Sequence, residues 1–331
     1  MGIGGTLVVA CVALLADAAV GYPDRLFRMV GHPVTWIGAL IGRLDRQLNP
    51  DTGRPSLPDR RRRLNGVLAL VLLAGLPTLL AWVLQRACLA MLPHAVGLVL
   101  LGVVAGSLSA QRSLFTHVRD VLHALEQGGI DAGRQAVSRI VGRDPQSLDA
   151  PAIVRAAIES LAENFSDGVV APLLWCAVLG LPGMVFYKAV NTADSMIGHL
   201  SPRHAAFGWA SARLDDLVNL PASRLSAGWL VLAAVVTQAA SPRAALTTVL
   251  RDAGRHRSPN AGWPEAAMAG ALGLRLAGPR SYGGCIVEDA WMGDGRADAS
   301  PSDLRRALRL YRRACTIQGV ALLALAAMLC G

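Results

Sequence analysis

Apolar and polar positions fall along this chain in long blocks rather than in alternation. Apolar runs occupy Ile3–Gly21, Leu64–Leu84, Ala95–Ala110, Gly168–Ala189, Leu225–Ala240 and Cys315–Cys330. A helix needs about 20 predominantly apolar residues, within a range of about 17 to 25, to cross a bilayer. The first, second and fourth runs meet that length, and the other three fall short of it. With no sustained period-two alternation to mark strands, the segments between the runs read as helices. The predicted fold class is all-α: a polytopic integral membrane protein of about five to six transmembrane or re-entrant helices with amphipathic helices between them. Residues 1–331 read as a single membrane-embedded domain, with 111–167 and 243–313 as extramembrane segments.

Local signals refine this outline. The leader MGIGG lacks a basic region, which favours a retained first span over a cleaved signal peptide. Asp17, near the end of that run, is expected to reach the interface. Asp149 is a good N-cap with Pro151 in the first turn behind it, and the helix that follows sets Arg155, Glu159 and Glu163 along one face. Pro50, Pro55 and Pro58 mark one loop, and the Gly-, Pro- and Asp-rich stretch 278–301 marks another. His32-Pro33-Val34 reads as a turn. Gly180-Leu181-Pro182-Gly183 interrupts the fourth run and would allow it to be re-entrant.

Composition agrees with a membrane setting. The chain is 53% hydrophobic and 17% charged, against roughly a quarter charged in an ordinary soluble domain. Its net charge of +9 is almost wholly arginine, since Lys188 is the single lysine. Nine arginines against four acidic residues in 22–63, and twelve against seven in 243–313, place both segments on the cytoplasmic side. If every intervening run crosses, 190–224 lies on the opposite side from 111–167; a re-entrant fourth run would bring them together. The six cysteines are scattered without a C-x-x-C pair and read as small buried hydrophobes. No aromatic-interleaved basic patch or zinc-finger spacing points to nucleic acid. Neither an H-E-x-x-H pattern nor a G-x-x-x-x-G-K-[ST] loop is present.

Candidate chemistry concentrates in three polar strings, 159–168, 188–198 and 212–219. Carboxylates and carboxamides are costly at a bilayer and persist there for functional reasons. Glu159 and Glu163 with Arg155 have ordinary ion-pair spacing, worth about 0.2–0.5 kcal/mol per pair on a solvated face. Glu163, Asn164 and Asp167, however, converge at the entrance to the fourth run, where solvation is poor. Asn191, Asp194, Ser195 and Gly198 form a narrow stripe; helix packing accounts for Ser195 and Gly198 but not for Asp194. Asp215 and Asp216 with Asn219 make a hard-oxygen cluster suited to magnesium with phosphate, or alternatively a capped helix start beside Arg213.

An ordered series of strings carries a resemblance. It runs from Asp17 and Gly21-Tyr22-Pro23 through His32-Pro33-Val34 and 137–144 to Glu159–Asn164, Asp167-Gly168-Val169 and Ala171-Pro172. Asn191–Gly198, Phe207-Gly208, Ala212–Asp216 and Ser258–Glu265 complete it. The chain resembles the cobalamin biosynthesis protein CobD/CbiB family, the membrane-embedded adenosylcobinamide-phosphate synthases. Tyr22 departs from the family, which has an acidic residue there. The resemblance implies an ATP-dependent ligase of the bacterial cell membrane that joins the carboxylate of adenosylcobyric acid to (R)-1-aminopropan-2-ol or its O-phosphate. ATP and Mg2+ are the implied cofactors. The corrinoid, the aminopropanol compound, the lipid bilayer and other late enzymes of the pathway are the implied partners.

On that reading Glu159, Glu163, Asn164 and Asp167 are catalytic candidates, and Asp194, Asp215 and Asp216 are metal candidates. Arg139, Arg143, Arg213 and Arg224 are cationic partners for phosphate or propionate. Lys188, Asn191, Ser195 and Asn260 complete the substrate-binding set. Two other classes use similar features: a non-catalytic membrane sensor on the same scaffold, and a transporter. The Ser258–Trp263 string argues against the first, and the lack of paired interrupted helices against the second.

Overall fold

The computed structural model describes residues 1–50, 58–141, 146, 148–282, 285–287 and 289–330. The first apolar run forms α1 (Ile3–Ala19), whose 17 residues sit at the short end of what a span requires. Asp17, two residues before the end of α1, is buried at 3% exposure. After α2 (Asp24–Val30), the His32 ring accepts the Val34 N–H at 3.2 Å while Thr35 reaches back to the His32 N–H. That capping box opens α3 (Pro33–Leu48), so the string expected to be a turn is a helix start. Tyr22 packs edge-on against the same ring and donates to the Gly31 carbonyl at 2.7 Å, a structural use of the departing position.

The second run lies within α4 (Asp59–Met91), and the third within α5 (His94–Gly106), which continues through 107–110 into α6 (Gln111–Val137). Asp149 caps α7 (Ala150–Phe165) as expected, accepting the Ala152 N–H at 2.8 Å. The fourth run is not one span. A π-helical turn at Ser166–Val170 leads into α8 (Ala171–Leu179), and Gly180 at φ +72° breaks the chain before α9 (Leu181–Ile197). A left-handed residue there is inexpensive because glycine has no Cβ. Next come α10 (Trp209–Val235), α11 (Pro242–Asp252) and α12 (Gly262–Leu272).

The stretch 278–301, expected to be loop, contains three short strands, which with a fourth at Leu276–Ala277 precede α13 (Pro301–Cys330). β1 (Leu276–Ala277) pairs antiparallel with β4 (Trp291–Met292), and β2 (Arg280–Tyr282) with β3 (Cys285–Val287). Strands of two or three residues are too short to show an alternation in sequence. The protein is otherwise helical, at 79%. Among the described residues four helical stretches are long and apolar enough to cross a membrane: Asp59–Met91, His94–Val137, Trp209–Val235 and Pro301–Leu329. On α4, Leu64, Val71, Leu79 and Leu80 are each more than half exposed, as a lipid-facing surface requires.

The chain divides into two units. The first comprises Met1–Ala110, Ala171–Asn219 and Leu322–Gly331. In it α1 packs on α5 and α8, and α3, α4 and α9 share a core of Ile37, Ile41, Leu73, Ala193 and Phe207. The second comprises Gln111–Val170 and Leu220–Ala321. There α7 packs on α6 and α12, α11 packs on α12, and Phe165 meets Tyr311 edge-to-face at 5.5 Å.

Candidate functional site

In the first unit, α9 and the first turns of α10 assemble a hydrogen-bonded chain of polar residues. Tyr187 and Asn191 lie one turn apart on α9, and Asp215 and Asn219 one turn apart on α10, so each pair shares a helix face. The Tyr187 hydroxyl donates to Oδ1 of Asn219 at 2.8 Å, and Nδ2 of Asn219 donates to Oδ2 of Asp215 at 2.9 Å. Nδ2 of Asn191 donates to the other Asp215 oxygen at 3.3 Å. Tyr187, Asn219 and Asp215 are all buried. Neutral amide donors therefore fix the orientation of a buried carboxyl group.

Two further carboxylates belong to this cluster. Burial pushes the Asp194 carboxyl above the usual carboxylate range, and the Asp216 carboxylate raises it further. Gly198 makes room for Asp194, since a Cβ there would stand 1.9 Å from Asp194 Oδ1. Arg213 reaches Asp216 at 3.4 Å. Ser195 is exposed and bonds back to the Asn191 carbonyl at 2.9 Å, so it points along its own helix. Lys188 is half-buried; burial first, and then its ammonium group, lower the pKa of His32. Among the described residues no three His, Cys, Asp or Glu side chains are grouped to hold a metal ion. Hard carboxylate oxygens are the donors that magnesium takes from a protein, commonly one or two, with phosphate and water completing the set.

In the second unit the α7 residues separate by role. Glu159 is 3% exposed, and its Oε1 accepts the Ala277 N–H at 2.9 Å, pinning a residue at φ +58°. Arg155 donates to the Ala297 carbonyl, and its guanidinium lies 6.0 Å from the Trp291 ring centroid. Glu163 and Asn164 are exposed, with Asn164 donating to the Ser160 carbonyl at 2.9 Å. Asp167 is half-buried in the π-helical turn, a local form common at functional sites.

The same unit joins Arg224 to Asn260. Nη1 of Arg224 donates to Asn260 Oδ1 at 3.0 Å and to Ser223 Oγ at 2.9 Å, and its guanidinium stacks 4.4 Å from the Trp263 centroid. Arg139 is exposed just beyond α6, and Arg143 lies outside the described residues. Sequence reading did not single out Tyr187, Ser223 or Trp263, nor the buried Glu265, whose carboxylate lies 4.0 Å from His256. Tyr187 was detectable one turn before Asn191 on the same face, and Glu265 closes a string already recognised.

Comparison with known proteins shows which family the chain belongs to. The family described as CobD/Cbib protein matches residues 10–311. A Sinorhizobium sp. protein named Cobalamin biosynthesis protein CobD is 52% identical over 322 residues, covering 97% of this chain and 98% of the relative. Proteins of the same name from Sinorhizobium fredii and Rhodobacter capsulatus are each 50% identical, covering 93% and 92% of both chains respectively. No solved structure matches the chain. The matched span takes in both carboxylate clusters and the Arg224–Asn260 network, and the chain belongs to the CobD/Cbib protein family.

Proposed function

We propose that the protein acts in cobalamin biosynthesis as a membrane-embedded, ATP-dependent amide ligase. It joins the carboxylate of adenosylcobyric acid to (R)-1-aminopropan-2-ol or its O-phosphate. The pathway assignment rests on family membership; the observation that supports the chemical step is the Asn191–Asp215–Asn219 arrangement, a buried carboxylate held by uncharged donors.

A carboxylate is a poor electrophile, so the corrinoid carboxylate first takes the terminal phosphoryl group of ATP, giving an acyl phosphate and ADP. The amine then gives up a proton, attacks the acyl carbon, and inorganic phosphate leaves. When bound, magnesium neutralises phosphate charge, and Asp215 with either Asp194 or Asp216 would hold it, phosphate oxygens and water supplying the remaining donors. The ammonium group needs a positioned base. Glu163, exposed on α7 where an incoming amine can reach it, suits that role better than Glu159, which is 3% exposed. Arg224, oriented by Asn260 and Trp263, presents a cation to a phosphate or propionate.

Complementation tests this reading in the cell. The chain should restore corrinoid amide formation to a bacterium blocked at that step. Asp194→Asn should fail to do so at normal protein level in the membrane. Full restoration by Asp194→Asn would move the site elsewhere.

A further inference from the structure

Apart from these clusters, the second unit contains a cavity of about 430 Å³ lined by Arg251, Asp252, Arg255, Arg275, Trp291 and Asp294. Small-molecule pockets commonly measure about 300–1,000 Å³. None of these residues belongs to the four spanning stretches.

Asp252, 1% exposed at the end of α11, organises the arginines. It accepts Nε and Nη2 of Arg251 at 2.9 and 2.7 Å, accepts the Gly293 N–H at 2.9 Å, and lies 3.3 Å from Nη1 of Arg255. Nη1 of Arg251 meets Asp294 at 2.6 Å. Gly293, at φ +89°, permits the approach, because a Cβ there would stand 2.4 Å from the Leu274 carbonyl. The β1–β4 ladder contributes Trp291, whose ring lies against Gly278, where a Cβ would come within 2.5 Å of it. Arg275 sits 5.6 Å from the Trp291 centroid.

The donors are unevenly used. Arg251 spends its whole fork on Asp252 and Asp294. Arg255 has one carboxylate neighbour and is 61% exposed. Among the described residues the Arg275 guanidinium has no carboxylate or carbonyl partner, and it lies against the Trp291 ring. Three arginines against two aspartates leave one positive charge and an unused fork on a cavity wall whose geometry a buried carboxylate fixes in advance. Forked donors of this kind match the several oxygens of a phosphoryl group.

We propose that this cavity binds the phosphoryl group of a phosphorylated small molecule. Arg255 and Arg275 contact the anion, and Arg251 and Asp252 are positioning residues. Two sources carry that chemistry, a nucleoside triphosphate and an amino-alcohol phosphate. The anion site stands without the ligase reading; the choice between these two sources rests on it.

Calorimetric titration of the full chain in lipid nanodiscs tests the site with three probes: pyrophosphate, ATP and (R)-1-aminopropan-2-ol O-phosphate. Saturable binding is expected for at least one probe. Affinity should fall by about tenfold or more in Arg275→Gln and Arg255→Gln, as loss of a charge-assisted contact requires. The exposed Arg309→Gln controls for net charge and should bind as the parent does. Tighter binding of ATP than of the amino-alcohol phosphate supports the nucleotide source, and the reverse order supports the amine substrate. Matched melting midpoints exclude misfolding, and the exposed Arg255 variant carries the test if Arg275→Gln does not fold. No saturable binding of any probe, or binding unchanged in both variants, overturns the proposal. Amide synthesis persisting beside either negative result would reject this cavity alone and leave the ligase reading intact.

Discussion

Asn219 donates through Nδ2 to Oδ2 of Asp215 across 2.9 Å, and its own carbonyl oxygen accepts the Tyr187 hydroxyl at 2.8 Å. One carboxamide thus ties a buried carboxylate on α10 to a fully enclosed tyrosine on α9. Its two ends are chemically distinct, and this orientation uses both. The pairing fixes the orientation of the Asp215 carboxyl group, and a group that handles a cation needs such positioning.

Asp215→Asn keeps the size and removes the charge, so activity should fall about a hundredfold or more, the scale seen when one electrostatic contributor is lost. Protein level in the membrane should be near normal. Asn219→Ala acts differently, because it strips a partner from Asp215 and from the Tyr187 hydroxyl. A stability loss of about 1–3 kcal/mol is expected, read as a lower melting midpoint in detergent. An Asp215→Asn protein with parental activity would remove this cluster from the chemistry.

Glu159 and Glu163 should separate in the same assays. Glu159→Ala leaves the buried Ala277 N–H without its acceptor and should cost about 1–3 kcal/mol. Ala277→Gly relieves a left-handed strain of about 1–2 kcal/mol, offset by about 0.4–1 kcal/mol of added chain entropy, so it should melt at or slightly above the parent. Glu163→Gln should melt with the parent and lose amide formation. Equal melting of Glu159→Ala and the parent would contradict the structural role.

Those two glutamates also mark how far the sequence could be read. Both stand on the predicted α7 face, and Asp149 and Pro151 gave its start correctly, because capping and periodicity are local properties. Which glutamate is enclosed depends on Ala277, 118 residues away in sequence, and no local pattern encodes that contact. The apolar runs located α4 well for the same local reason. Hydropathy alone gave 168–189 the length of a span, and it was the Gly180–Gly183 string that marked the interruption found at Gly180. Asn191, Asp194, Asp215 and Asp216 were legible as polar residues in apolar surroundings. The arginine cavity around Asp252 was not, since its members are spread from Arg251 at the end of α11 to Arg275, Trp291 and Asp294 in later turns and short strands, with no local pattern to join them.

Asp252 also sets a pH dependence. Hydrogen bonds from Arg251 hold its carboxyl below the usual carboxylate range. A depressed folded-state pKa contributes stability that is present above the unfolded value of about 3.9 and is lost as pH falls through the folded value. Melting midpoints measured from pH 7 down to about pH 3 should therefore drop at the acidic end. The drop should be smaller in Asp252→Asn, which starts from a lower midpoint at neutral pH. An identical acid slope in the variant would show that the ion pairs with Arg251 and Arg255 contribute nothing.

The most direct test of the account is amide synthesis by the purified protein in lipid. Adenosylcobyric acid, aminopropanol or its phosphate, ATP and magnesium are combined, and the corrinoid product is weighed by mass spectrometry. Amide formation from two free ions is uphill in water, so the account predicts product only with nucleotide and magnesium, at one ATP consumed per amide formed. Product at full rate without any nucleotide would contradict the acyl-phosphate route. No product under any of these conditions would contradict the ligase itself and favour a non-catalytic membrane sensor on the same scaffold.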